Sequence, residues 1–206
     1  MFARITGFQV SPDRIDQGIT TTQERAWPAL SAMNGNLGFV LLANRETGAC
    51  AGISYWDNME NLRASEEASA TLRSQTASEA GLTIGEIDRF EQILQERAAP
   101  PEANHFIRVN DLQGAPDKID QVANIVRDTI PTLRAQNGFR AVLVGANRQT
   151  GRILISSVWE TAADREASNA AVQARRNEIA QVVGTTDVKV NLYESVFTQV
   201  KQAALV

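Results

Sequence analysis

The chain has 206 residues, 43% of them hydrophobic, with 20 Lys and Arg against 24 Asp and Glu and a formal charge of -4. That is enough apolar material for one large domain or two small ones, and the absence of a basic excess argues against a nucleic-acid partner. The N-terminal stretch MFARITGFQV has a charge at position 4 and no apolar run, no segment approaches the length of a bilayer span, and the lone Cys50 cannot form an internal disulfide. The expectation is a soluble, unexported, cytoplasmic protein with no membrane partner.

In chain order, the first strand sets Phe2, Arg4 and Thr6 on one face by alternation. Pro12-Asp13-Arg14 then opens a helix whose apolar stripe is Ile15, Ile19, Ala26, Leu30 and Met33. Pro28 falls inside it, which predicts a kink or a restart. Asn34-Gly35 stops the helix, FVLLA reads as a buried strand, and Asn44-Arg45-Glu46-Thr47-Gly48 reads as a hairpin loop. The return strand ends in Ser54-Tyr55-Trp56, with Ser54 and Trp56 on one face. A second helix comes next, capped by Asp57 or Asn58 and rich in Ala and Ser, and after Gly81 a final strand spans roughly 82–94.

The prolines and small or polar residues of ERAAPPEANH suit a stiff exposed connector, and then the same elements recur. Phe106, Arg108 and Asn110 share a face, and Pro116 opens a helix carrying Ile119, Val122, Val126, Ile130 and Leu133. Pro131 matches Pro28, so both first helices are expected to bend alike. NGFRAVLVGANRQTG (137–151) repeats NGNLGFVLLANRETG (34–48), Ser157 and Trp159 repeat Ser54 and Trp56, and Thr161 caps the next helix. Gly184 leads into a last strand expected over 185–197. Arg4 answers Arg108 and Pro12 answers Pro116 in one register. A single-residue shift then carries the match through Pro28 with Pro131, Trp56 with Trp159 and Gly81 with Gly184.

The chain is therefore read as a tandem duplication: a first α+β repeat over 1–95, a linker over 96–104 and a second repeat over 105–206. Each β-α-β-β-α-β unit folds as a ferredoxin-like four-stranded antiparallel sheet with both helices on one face, leaving the other face apolar. Two such sheets give an eight-stranded α+β barrel, pseudo-dimeric within one chain.

Asn-Gly-Phe, an apolar strand, Asn-Arg-x-Thr-Gly, Ser-x-Trp and a helix carrying Ala-Ser together resemble the dimeric α+β barrel superfamily, and more narrowly the antibiotic biosynthesis monooxygenases. The resemblance covers nearly the whole chain, once per copy. It implies a pocket between sheet and helices where an electron-rich aromatic or quinol-like compound reacts with oxygen without flavin or metal, so no cofactor and no metal are expected. Its demands are a dry cavity, help in removing a proton and donors for an oxyanion. The residues placed for substrate binding are Arg108, Asn110, Ser157 and Trp159, with Asn169 and Tyr193 in the same copy. Arg4, Thr6, Ser54 and Trp56 are the first-copy equivalents, and no catalytic residue is assigned. A haem-degrading branch of the superfamily uses a first-strand Asn, a Trp and an axial His. Asn110 and Trp159 match the first two, but Glu66 and Asn169 stand where the His belongs, which disfavours haem.

The competing reading is a non-catalytic barrel that binds a small apolar ligand or scaffolds an assembly, with further homo-oligomerisation allowed. On packing grounds Trp56 and Trp159 are pocket walls. Arg4 and Arg108 are expected to pair with carboxylates such as Glu91 and Glu194. His105 has no assigned role, and Cys50, which answers Ile153, reads as a small buried hydrophobe. The copies differ at Thr6 and Asn110, Tyr55 and Val158, Glu66 and Asn169, and Phe90 and Tyr193. This suggests that the second copy keeps a polar pocket while the first supports the barrel; neutral drift is the alternative.

Overall fold

The structure, a computed structural model, describes residues 1–185 and 188–201. Its strands are β1 (Phe2–Gln9), β2 (Asn36–Ala43), β3 (Ala49–Trp56), β4 (Thr83–Arg97), β5 (Phe106–Gln113), β6 (Phe139–Asn147), β7 (Arg152–Trp159) and β8 (Lys189–Val200). Its helices are α1 (Ile15–Thr21), α2 (Trp27–Ser31), α3 (Met59–Ala64), α4 (Glu66–Ala80), α5 (Ile119–Arg134), α6 (Ala162–Ala167) and α7 (Asn169–Val183). The strands close into one barrel in the order β1-β3-β2-β8-β5-β7-β6-β4. The architecture is the duplicated ferredoxin-like α+β barrel. The expected last strand starts later than 185, at Lys189, and residues 186, 187 and 202–206 lie outside the described ones. Among the described residues no helix is long and apolar enough to cross a membrane.

By contacts the chain divides into two compact units. One is Met1–Arg89 with Pro101–Asn104 and Tyr193–Val206; the other is Phe90–Pro100 with His105–Leu192. In the first, β1 and β3 pair from Phe2↔Trp56 to Gln9↔Ala49, which sets Arg4 opposite Ser54 and Thr6 opposite Gly52. In the second, β5 and β7 pair from Phe106↔Trp159 to Gln113↔Arg152, setting Arg108 opposite Ser157 and Asn110 opposite Ile155. The same alternation thus aims corresponding side chains at the helices in each unit.

The hairpin loops are built alike. Asn44 Oδ1 accepts from the amides of Glu46 and Thr47 at 3.0 and 2.9 Å, and Asn147 Oδ1 from those of Gln149 and Thr150 at 3.0 and 3.2 Å. Gly48 and Gly151 close the loops at φ +74° and +78°, where a side chain would also run into the carbonyls of Val10 and Gly114. Arg45 bridges Asp16 and Glu194, and Arg148 bridges Asp120 and Glu91. The expected pairing of Arg4 and Arg108 with those glutamates is therefore corrected. Register puts Glu194 opposite Ala43 and Glu91 opposite Ala146, at the hairpin ends, where the loop arginines reach them first.

The first helices depart from the expected equal bend. In the second unit α5 runs unbroken through Pro131, which lies in its last turns. In the first unit α1 passes into a π-helical turn, Thr22–Ala26, and α2 restarts with Pro28 in its first turn. The one-residue shift between copies falls between residues 17 and 28, and a π turn is how a helix absorbs one extra residue without rotating its later turns. The insertion, and not the proline, interrupts the first helix.

The second helices are broken in both copies. Asn58 caps α3 by accepting from the Asn61 amide at 2.8 Å, and Thr161 caps α6 by accepting from the Asp164 amide at 3.0 Å. Each short helix ends at a buried serine, Ser65 or Ser168, before the longer α4 or α7 begins.

Candidate functional site

The buried arginine of each first strand is held by that break. Arg4 Nη2 donates to the Leu62 carbonyl at 2.6 Å and to Ser65 Oγ at 3.0 Å, and Arg108 donates to Ser168 Oγ at 3.0 Å and to the Arg165 carbonyl. Each guanidinium thus shares a carbonyl oxygen in the last turn of the short helix with the serine that ends it, Ser65 donating to Leu62 and Ser168 to Arg165 at 2.7 Å, and its charge suits the negative pole there. Trp56 and Trp159 are fully buried, and each indole N–H donates to the serine two residues before it, Ser54 or Ser157, at 3.0 Å. The Arg4 guanidinium also lies 5.5 Å from the centre of the Trp56 ring.

On this shared frame the two units hold very different spaces. In the second unit a cavity of about 340 Å³ lies between the sheet and the helices α5 and α7. Arg108, Asn110, Ser157 and Trp159 all line it, together with Arg176 and apolar residues of α5 and α7 such as Val126 and Ile179. The corresponding space in the first unit is about 60 Å³, lined by Arg4, Thr6, Ser54 and Arg73 among others. The linings differ in their side chains. Phe8 and Phe39 stand where the second copy has Leu112 and Val142, and their rings pack over Gly52, within about 3.1–3.2 Å of where its Cβ would be. The two rings occupy the space over Gly52, where the second copy has Ile155, so the copies fill the same stretch of sheet with different side chains.

The electrostatics differ as well. Glu66 accepts ion pairs from Arg4 at 3.1 Å, from Arg73 at 3.0 Å and from Arg89. Burial alone would raise its carboxyl, yet the three arginines hold it below the ordinary range. Asn169 occupies the corresponding place in the second unit, where it accepts from Arg176 at 3.0 Å and donates to Glu166 at 2.6 Å. Among the described residues no carboxylate lies within ion-pair distance of Arg108 or Arg176. Burial, and then the neighbouring charge of Arg176, push Arg108 down to about 10 against the opposing pull of Glu166, so it remains a cation at neutral pH.

Asn110 is 9% exposed; its amide N–H donates to the Ile155 carbonyl at 3.3 Å, while its Oδ1 is buried without a partner. That bond orients the amide, leaving an acceptor that a ligand hydroxyl or N–H would satisfy. Asn169 and Tyr193 do not line the cavity, and Trp56 does not line the smaller one. Sequence reasoning missed Arg176 because it sits on a helix whose Ala and polar residues give no clear stripe. Its spacing of seven residues from Asn169 was the available signal.

His105 is buried, with Nε2 3.8 Å from a Glu160 oxygen, and lines neither cavity. Cys50 is buried in the first core, and burial pushes its thiol up to about 11, far from a thiolate. Among the described residues no group of three or more His, Cys, Asp or Glu side chains is placed to hold a metal ion.

Residues 105–176 match the family described as antibiotic biosynthesis monooxygenase. The second copy of the duplicated barrel is thus similar to that family. The family match falls on the copy that holds the larger cavity. The uncharacterized protein Rv2557 of Mycobacterium tuberculosis is 26% identical over 175 residues, covering 82% of this chain and 78% of that protein. An anthrone oxidase-like protein has the same fold, with a TM-score of 0.72 at 14% identity over 98% of this chain and 93% of that one. A heme-degrading enzyme of Listeria monocytogenes also shares it, with a TM-score of 0.56 at 8% identity over 95% and 99%. Proteins described as anthrone oxidase-like and as heme-degrading thus share this fold, and fold alone does not choose between them.

Proposed function

We propose that the second copy binds a small electron-rich aromatic or quinol-like compound in its cavity and oxygenates it without a cofactor. The observation that carries this reading is the cavity of about 340 Å³, within the about 300–1,000 Å³ of small-molecule sites, into which one buried, unsatisfied acceptor and one buried cation project. A phenolic hydroxyl donates to Asn110 Oδ1, and the Arg108 charge lowers the pKa of the bound compound by favouring its anion. The lining contains no carboxylate or imidazole among the described residues, so the proton leaves to solvent and the protein's contribution is electrostatic. The electron-rich anion then reacts with oxygen. One oxygen atom enters at the ring carbon as a carbonyl, and the other leaves as water with the two hydrogens that the substrate loses.

Among the described residues neither lining holds an imidazole, which argues against haem with its need for an axial ligand there. One observation favours a second reading, a non-catalytic binding barrel: among the described residues the lining holds no carboxylate or imidazole to act as a base. Oxygen uptake with a panel of anthrones and quinols decides between them. Uptake of one oxygen per substrate supports oxygenation, whereas thermal stabilisation by these compounds without uptake supports binding alone.

A further inference from the structure

Resting on the reading of the second cavity as a ligand site, we propose that it selects an anionic ligand, an aromatic compound carrying a carboxylate, which the guanidiniums of Arg108 and Arg176 hold. The first unit displays the interaction internally. There the Glu66 carboxylate sits among Arg4, Arg73 and Arg89, and two of these, Arg4 and Arg73, are the equivalents of Arg108 and Arg176. In the second unit both arginines are kept and line the cavity, but the carboxylate is replaced by the neutral Asn169, which satisfies one Arg176 donor. Two cations face each other closely enough for Arg176 to disfavour the charge on Arg108. Glu166 favours both charges but pairs directly with neither, so the two partly desolvated cations have room for a closer counter-ion, and the planar forks of two guanidiniums match a carboxylate in geometry.

The other wall fits the remainder of such a ligand. Val126, Leu133, Val142 and Ile155 are apolar, and Asn110 Oδ1 waits for a donor. A ring bearing both a hydroxyl and a carboxylate meets all three features. Arg175 is not part of the clamp, since it is exposed and paired to Glu178 at 2.7 Å.

The test is anaerobic titration of the full chain with 1-hydroxy-2-naphthoate and with its neutral carboxamide, 1-hydroxy-2-naphthamide, by calorimetry. The carboxylate should bind at least tenfold more tightly. N169E restores the first copy's carboxylate and should remove that preference while leaving the amide within about twofold, and R176Q should weaken the carboxylate selectively. Melting curves identify any variant that fails to fold, and either variant alone suffices. Equal affinity for the two probes, or an unchanged preference in folded N169E and R176Q, overturns the anion selectivity and leaves the ligand cavity standing. Binding of neither probe, with no oxygen uptake from anthrones or quinols, overturns both.

Discussion

The two cavities are descended from one design and have parted. Both keep a strand arginine fastened to the end of a short helix and a tryptophan bonded to the serine two residues before it. These shared contacts are best explained as architecture, since they persist where the space has closed to about 60 Å³ as well as where about 340 Å³ remains. What differs is the set of groups facing the cavity: two phenyl rings and arginines paired directly to Glu66 in one copy, aliphatic side chains, Asn110 and arginines that Glu166 favours only from beyond ion-pair distance in the other. The repeated residues set the frame, and the substitutions around them leave Arg108 and Arg176 without the direct carboxylate partner that Arg4 and Arg73 have.

That comparison can be broken first where it claims equality. Trp56→Ala and Trp159→Ala should each cost about 3–5 kcal/mol in denaturant unfolding, because both remove a fully buried indole whatever the cavity beside it. A cost confined to one copy would show that the tryptophans have different roles. Next in size, the double variant Phe8→Leu with Phe39→Val should cost roughly 2–4 kcal/mol and open a second site. Ligand stoichiometry should rise above one per chain, and an unchanged stoichiometry would mean that the rings do not close the first cavity.

A pH profile separates the copies on electrostatics. Glu66 is held below its ordinary pKa, so its contribution to stability is present above the unfolded value and is lost as pH falls through the folded one. Thermal melts between about pH 6 and pH 3 should therefore flatten in Glu66→Asn, whereas Asn169→Asp, whose new carboxyl gains Arg176, should steepen the acid loss. The smallest effect is expected from deleting the exposed Glu24. Removing one residue from the π turn should regularise the helix as in α5 and change stability by less than about 1 kcal/mol. A loss well beyond that would show that the π turn is required by its surroundings.

The duplication made the fold legible, because strand alternation, the Asn-Gly stops and the hairpin loops each appear twice in one register. The pocket-facing sets on β5 and β7 were legible for the same reason, since period two is unambiguous in a short strand. The partners of Arg4 and Arg108 were not. Alternation tells which face a side chain takes, but it does not show that the next helix will break at a serine and offer its carbonyls. The π turn was present only as a one-residue offset, which the more conspicuous Pro28 masked as a cause. The linings exchange Phe8 for Leu112, Phe39 for Val142 and Gly52 for Ile155, changes that nearly cancel in volume, so which copy stays open becomes visible only once the packing is known.

The central claim is that ligand chemistry belongs to the second copy. Calorimetric titration with 1-hydroxy-2-naphthoate of the parent chain, Thr6→Val and Asn110→Leu tests it most directly. The account predicts one site per chain, kept in Thr6→Val and lost or weakened at least tenfold in Asn110→Leu. Two equal sites, or a site that responds to Thr6 and not to Asn110, would contradict it.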